Sequence, residues 1–504
     1  MTRPFLLAVA LTLTACGHLP SLEDRPVSRA FADTGDTTLG RAIAPAAAQH
    51  PGRSGVYPLL DSRDAFAARV LLARAAERSL DVQYYIWKDD LSGRLLVEAL
   101  HRAADRGVRV RLLLDDNGIA GLDETLAGLD GHPNIEVRLF NPFVNRGARW
   151  LGYLTDFSRL NRRMHNKSFT ADNQATIVGG RNVGDEYFDA AEGLVFVDLD
   201  VLAVGPVVKE VSADFDRYWA SGSAYPAARL LAPAKPGFHA PAPGEGAAKY
   251  MEAVQRSPFV RDLLERRLPF EWASTQLVSD DPAKGLGEAP HDGTLSHDLR
   301  QLLGDPKKEV DLVSAYFVPA EAGTEMFGEW AKRGVKVRVL TNSFEATDVS
   351  VVHAGYVKRR RKLLESGVIL YELRALSRTP QPAAGHLVGS SGSSAASLHA
   401  KTFSADRAHV FIGSFNFDPR SAHLNTEMGV LIHSPALAQR IADAFDSGIP
   451  QRAYQPRLEP SGEIYWIELR EGSKVVRHDV EPGTTLWQRL AVRLLSLLPI
   501  DWLL

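Results

Sequence analysis

Met164-His165-Asn166-Lys167, followed by Asp172 and by Gly179-Gly180-Arg181-Asn182, returns later in the chain as Leu398-His399-Ala400-Lys401, Asp406 and Gly413-Ser414-Phe415-Asn416. His165 and His399, Lys167 and Lys401, Asp172 and Asp406, Gly179 and Gly413, and Asn182 and Asn416 are each separated by 234 positions. One chemical unit is therefore written twice in the same internal register. A strand projects residues i and i+2 from one face. The flanks Met164, Phe169 and Ala175-Thr-Ile-Val178 have strand character, and Ala171-Asp172-Asn173 reads as a hairpin turn. The spacing predicts that His165 and Lys167 project together, with Asn182 arriving at the end of the next strand. His399, Lys401 and Asn416 repeat the arrangement.

A histidine that attacks or protonates, beside a lysine and an asparagine that support negative oxygens, suits a phosphoryl group. Paired histidines also raise the question of a metal. A lysine on the same face as each histidine repels a divalent cation, and neither His-x-x-x-His spacing nor clustered carboxylates surround the motif. No metal site is predicted. A purely structural histidine accounts for one copy but poorly for two.

The duplication extends beyond the motif. Ala103-Ala-Asp-Arg-Gly-Val-Arg-Val-Arg-Leu112 resembles Trp330-Ala-Lys-Arg-Gly-Val-Lys-Val-Arg-Val339. Ahead of the first of these, Ser62 to Ala75 has helical spacing, Leu80 to Trp87 strand character, and Ser92 to Arg106 forms an amphipathic helix stopped by Gly107. Strands follow at 108–114 and 135–140. The second half repeats the order with strands at 310–318 and 335–340 around a helix ending at Gly334. Alternation of this kind predicts an α/β fold with a mostly parallel sheet. Two such halves facing each other about a pseudo-twofold axis bring both His-Lys pairs into one cleft.

The paired His-x-Lys-x(4)-Asp units resemble the phospholipase D superfamily. Asn416-Phe-Asp418-Pro-Arg420-Ser421 with Asn425-Thr-Glu427, and Gly179-Gly-Arg-Asn182-Val-Gly-Asp-Glu-Tyr-Phe188 with Phe196-Val-Asp198-Leu-Asp200-Val, are similar to its C-type cardiolipin synthase branch. The likeness spans roughly residues 55 to 455. It implies two α-β-α sandwich halves, with His165 as nucleophile and His399 as general acid and base. Lys167, Lys401, Asp172 and Asp406 complete the catalytic set it implies, and Asn182, Asn416 and Ser414 lie on the substrate side. It also implies that a carboxylate orients each ring. Glu427 stands eleven residues after Asn416, where the family places it (427 − 416). The same offset in the first half falls on Gly193, so Asp198 becomes the candidate there. Implied substrates are phospholipids, phosphatidylglycerol with phosphatidylethanolamine as the second lipid, without a cofactor and without nucleic acid as the favoured partner. A hydrolytic phospholipase D, an endonuclease and a non-catalytic envelope lipoprotein stay open as alternatives.

With 504 residues, 45 % hydrophobic and 24 % charged, the chain suffices for two or three domains with ordinary cores. Its net charge of −3 argues against a dedicated polyanion binder. The start has an export-signal pattern: Arg3, an apolar run from Phe5 to Leu13, and Leu13-Thr-Ala-Cys16. The run is too short to span a bilayer. Cys16 is the single cysteine and occupies a lipobox position, which predicts a lipid-anchored envelope protein facing the periplasm. Gly17 in place of aspartate points to the outer membrane.

These readings divide the chain into a leader (1–15), a flexible tether (16–54), a first phospholipase D-like domain (55–226), a linker (227–268), a second such domain (269–455) and a C-terminal extension (456–504). Ser377 to Ser397 reads as a flexible stretch, either a lid or a tolerated insertion. Lys358-Arg-Arg-Arg-Lys362 reads either as a solvated helix face or as a headgroup patch. Residues 484–498 form an amphipathic helix suited to a membrane interface or to packing on the body.

Overall fold

The computed structural model describes residues 18–190, 194–235, 237–238, 240–242, 244–375, 395–470 and 474–498. The leader with Cys16, and 376–394 of the serine-rich stretch, lie outside the described residues. The first half contains β1 (Ser54–Leu59), β2 (Ser79–Ile86), β3 (Arg109–Gly118), β4 (Ile135–Phe140), β5 (Ser168–Ala171), β6 (Ala175–Gly179), β7 (Leu194–Val197), β8 (Asp200–Val204) and β9 (Ala224–Pro226). Around them lie helices α1 (Thr38–Gln49), α2 (Ser62–Ala75), α3 (Leu91–Asp105), α4 (Arg149–Thr155), α5 (Phe157–Leu160) and α6 (Pro206–Trp219). The second half contains β10 (Glu271–Ser279), β11 (Glu309–Ser314), β12 (Lys336–Asn342), β13 (Ile369–Leu373), β14 (Ala395–Leu398), β15 (Lys401–Ala405), β16 (His409–Gly413) and β17 (Met428–His433). It continues with β18 (Ala453–Leu458), β19 (Ile464–Arg470) and β20 (Lys474–His478), and carries α7 (Ala320–Lys332), α8 (Ser350–Glu365) and α9 (Leu486–Ser496).

Local signals set the helix ends. The Asp61 carboxylate caps α2 by accepting from the amides of Arg63 at 2.8 Å and Asp64 at 3.1 Å. The turns after α3 and α7 need a left-handed residue, supplied by Gly107 at φ 90° and Gly334 at φ 89°.

Strand pairing repeats across the dyad. The first half runs β9-β4-β3-β2-β5-β6-β8-β1 and the second β10-β17-β16-β15-β11-β12-β13-β18, with β19 and β20 added at the far edge. β1 and β10 pair antiparallel at the centre, Ser54 opposite Ala273. Within the large sheet, among the described residues, only β2-β3-β4 and β11-β12-β13 are parallel, which corrects the expectation of a mostly parallel sheet; β7 and β14 form a separate parallel pair. Each motif lies on a hairpin, and a turn as short as Ala171-Asp172-Asn173 joins antiparallel strands only. Buried ion pairs lock the parallel strands together: Arg111 grips Asp81 at 2.7 and 2.8 Å, and Arg338 grips Asp311 at 2.5 and 2.8 Å. One apolar cluster joins Val56, Val178 and Val201 of the first half to Leu398, Met428 and Val430 of the second.

Several segment readings are corrected. The described part of the expected tether is docked on the first half. Arg138 donates to Pro26 O, Arg111 to Ser28 O at 3.0 Å, and Arg109 stacks 3.8 Å from the centroid of Phe31. The expected linker holds helices Ala247–Gln255 and Pro258–Leu264, and buried Tyr250 donates to Phe188 O at 2.8 Å. The C-terminal extension continues the second sheet through β18 to β20. The basic run on α8 is largely committed within the fold: Arg360 bonds Glu372 at 3.0 Å and Glu481 at 2.9 Å, while Arg359 and Lys362 meet Glu321.

Candidate active site

The strands that end at the centre hold the residues just before each histidine. Asp115 on β3 accepts from the Met164 amide at 2.8 Å. Asn342, ending β12, brackets Leu398, its Oδ1 accepting from the amide and its Nδ2 donating to the carbonyl, both at 2.9 Å. The sequence reading passed over both residues. Their only trace was a polar residue closing an apolar strand.

From these anchors each segment crosses the dyad. The His165 amide donates to Thr426 O at 2.8 Å, and the Thr426 amide returns to Arg163 O at 2.9 Å. β14 pairs with β7, Leu398 opposite Val197, and the His399 amide donates to Val197 O at 2.8 Å. Thr426 and Val197 each precede an acidic residue, so each ring receives a carboxylate from the opposite half. His165 Nδ1–H donates to Glu427 Oε2 at 2.8 Å, and His399 Nδ1–H to Asp198 Oδ2 at 2.5 Å. Both candidate carboxylates are present, and each serves the ring of the opposite half rather than that of its own. With Nδ1 committed, Nε2 is the nitrogen each ring offers to phosphorus. The two histidines are only 7 % and 6 % exposed.

Lys167 and Lys401 are buried beside the rings and donate to the carbonyls of His165 and His399. Burial lowers both ammonium groups, Lys167 well below its usual range and Lys401 to about 8, against the attraction of Glu427 and Asp198. Burial, then Lys167, Lys401 and His399, hold His165 well below the ordinary imidazole range. That mutual influence places the two pairs in one electrostatic site. His399 is lowered by burial and Lys401, with Asp198 opposing.

The two carboxylates differ. Burial lifts Glu427 to about 7, opposed by Lys167 and the Ser414 hydroxyl. Burial pushes Asp198 up too, but His399, Lys401 and Arg181 outweigh it and hold the acid below the usual carboxylate range. Arg181 Nη2 donates to Asp198 O at 2.7 Å, whereas Phe415 occupies the matching position in the second half. Ser414 does not face the substrate side as expected. Its hydroxyl donates to Glu427 and its amide to Met428 O at 2.8 Å, so it acts through Glu427. Its counterpart Gly180 backs onto Asp198, where an added Cβ would lie 2.2 Å from Oδ1.

Asn182 and Asn416 partly serve the scaffold: their Oδ1 atoms accept from the amides of Ile86 at 3.2 Å and Tyr316 at 3.4 Å. Asn182 Nδ2 also donates to Tyr187 OH at 3.1 Å. Tyr85 packs edge-on to His165 at 5.1 Å, and Tyr187 to His399 at 5.2 Å, ring contacts with no repeating sequence signature.

Asp172 and Asp406 stand apart from the rings, correcting their place in the catalytic set. Asp172 accepts from the amides of Glu77 at 3.0 Å, Arg78 at 2.7 Å and Ser79 at 2.9 Å, at the start of β2. Asp406 does the same for Lys307, Lys308 and Glu309. Five strand positions separate each from its lysine, about 16 Å of chain. Asp172→Ala is therefore expected to cost about 2–4 kcal/mol of stability by stranding these amides. A thermal melt should show this, with turnover per folded molecule close to that of the parent at low temperature. Among the described residues no group of three or more His, Cys, Asp or Glu side chains is arranged to hold a metal ion.

Residues 71–219 and 299–449 match the family described as cardiolipin synthase, PLD-like domain. Cardiolipin synthase C of Escherichia coli (strain K12) is 52 % identical over 473 residues, which cover 92 % of this chain and 99 % of that protein. Cardiolipin synthase B of Salmonella typhi is 26 % identical over 387 residues, covering 76 % of this chain and 78 % of that protein. The crystal structure of phosphatidylserine synthase from Haemophilus influenzae Rd KW20 shares the fold, with a TM-score of 0.56 at 14 % identity, covering 92 % of this chain and 100 % of that one. With two matched units in one chain, each contributing a His-Lys pair and lending the other its carboxylate, the chain belongs to the cardiolipin synthase family of phospholipase D-like proteins.

Proposed function

We propose that the chain makes cardiolipin by moving a phosphatidyl group from one phospholipid to the glycerol headgroup of phosphatidylglycerol. The observation that carries the reading is the exchanged pairing of two histidines with two carboxylates around two buried lysines. In the first step His165 Nε2 attacks phosphorus, the phosphorus–oxygen bond to the donor headgroup breaks, and His399 Nε2 protonates the departing oxygen. A phosphohistidine results. In the second step the acceptor hydroxyl gives its proton to His399 and attacks phosphorus, and the phosphorus–nitrogen bond breaks. Both rings return to their starting state. Lys167, Lys401 and the Asn416 amide support the phosphoryl oxygens as charge accumulates.

The unequal carboxylates support this division of roles. His165 is held neutral, as a nucleophile must be, beside an acid that itself ionises only near 7. Asp198, held ionised, favours a protonated His399, and an incoming phosphodiester anion favours it further. Lipid anchoring through Cys16, with the site facing the periplasm at the outer membrane, is the setting we assign on the leader sequence. Among the described residues no helix is long and apolar enough to cross a membrane.

Purified protein incubated with phosphatidylglycerol, with and without phosphatidylethanolamine, should yield cardiolipin on lipid chromatography. Free glycerol is released from the first mixture, and ethanolamine also from the second if phosphatidylethanolamine is the donor. Phosphatidic acid as the sole lipid product would make the protein a hydrolase.

A further inference from the structure

The segment between β4 and the first motif is folded inside out. α4 and α5 leave the sheet at Phe140 and return at Arg162, with both ends pinned where the catalytic strands finish. Asn141 Nδ2 donates to Arg162 O at 2.9 Å, and Arg163 Nη2 to Asn141 O at 2.5 Å. From α4, Tyr153 OH donates to Asn117 Oδ1 at 3.0 Å, Asn117 Nδ2 donates to Tyr85 OH at 3.3 Å, and Tyr85 abuts His165. The segment thus borders the cleft mouth. Its basic residues turn inward, Arg146 to Asp116 Oδ2 at 2.9 Å and Arg149 to Asp116 O at 2.8 Å. Phe143 and Leu160 anchor it from inside, but five apolar residues turn outward: Trp150 is 65 % exposed and Leu154 74 %, with Val144, Leu151 and Phe157 beside them. A helix facing water presents the reverse.

A second element emerges at the same end of the strands. α9 packs against α8, the helix that follows the catalytic end of β12, and Glu481 ahead of it bonds His353 Nε2 at 2.8 Å. Within α9 only Val492 is buried, while Trp487 at 78 % and Leu494 at 68 % face outward near exposed Arg493.

We infer that the outer faces of α4-α5 and α9 seat the molecule on a phospholipid bilayer with the cleft mouth toward the lipid. Rings and leucines enter the interface while headgroups reach the histidines and acyl chains stay in the membrane. The inference rests on the reading that the substrates are bilayer phospholipids, which is why lipid, rather than protein, covers these faces.

The test places the full-length chain on phosphatidylglycerol vesicles whose acyl chains carry bromine, a contact quencher of indole fluorescence. The parent should be quenched, and Trp150→Phe and Trp487→Phe should each remove part of the quenched signal. Trp150→Glu with Leu154→Glu should lower turnover of vesicle substrate at least tenfold. Turnover of a short-chain phosphatidylglycerol kept below its micelle concentration should stay within about twofold of the parent, which also reports that the variant is folded. Quenching unchanged by either Phe substitution would overturn the inference. So would a lipid-independent dimer that the Glu substitutions dissolve, since the faces would then be a protein interface. If no cardiolipin forms at all, the proposed function fails while quenching still decides the seating.

Discussion

Mixed with a p-nitrophenyl ester of phosphatidic acid, His399→Ala should release one equivalent of p-nitrophenolate per enzyme and then stall, whereas His165→Ala should release none. p-Nitrophenolate departs without a proton, so the first step needs only the nucleophile and the Lys167 and Lys401 side chains that hold the phosphoryl oxygens. The second step needs a base for the incoming alcohol, and His399→Ala has lost it, so the phosphohistidine accumulates and is trapped by acid quenching. On natural phosphatidylglycerol both variants should be inactive, because a positioned proton transfer alone is worth roughly 10²–10⁴ in rate and the leaving glycerol requires one. A burst from His165→Ala and none from His399→Ala would interchange the roles. Steady turnover of natural lipid by either variant would dismiss a shared site.

Glu427→Gln should behave as a lesion of His165, and Asp198→Asn as a lesion of His399, although each acid belongs to the other ring's half of the chain. Losing the partner of an oriented imidazole costs typically 10–100-fold. For Asp198→Asn the loss in the first step should shrink on the p-nitrophenyl substrate, since the proton His399 delivers is no longer needed. For Glu427→Gln it should be equal on both substrates, with KM little changed in either variant. The pH profile separates them as well. Glu427 ionises as pH rises through about 7, so the His165-dependent step weakens below that point, and Glu427→Gln should remove this acidic limb. Asp198 stays ionised across the range and contributes no limb. Stability moves the opposite way. A carboxyl whose folded pKa is raised favours the folded state at low pH, and that contribution is lost progressively as pH rises from the ordinary value of 4.5 to about 7. The melting temperature of the parent should therefore fall across that interval, and that of Glu427→Gln should fall less. A Glu427 variant that tracked His399 instead would refute the crossed arrangement.

The chemistry was legible because it is repeated: identical offsets expose His165, Lys167 and Asn182 through their copies, and each half's strand order follows from local periodicity. The partner exchange left no such trace. His165 and Glu427 lie 262 positions apart, His399 and Asp198 201, and no local pattern spans such intervals. The two motif aspartates misled for a related reason. They repeat faithfully, yet what repeats is a turn that clasps three amides. The N-terminal segment reads as slack because much of its docking uses its backbone carbonyls, as at Pro26 and Ser28, and carbonyls carry no residue identity. Trp150 and Leu154 lie on a helix too short for a pattern to emerge.

The trading of carboxylates has an evolutionary corollary. A lone half of this chain would possess a histidine but not the acid that aims it, so a single unit of this design would work only when paired with a second copy. With both copies in one chain, symmetry is not compulsory. Gly180 opposite Ser414, Arg181 opposite Phe415, and aspartate opposite glutamate record specialisation that two identical subunits could never have acquired.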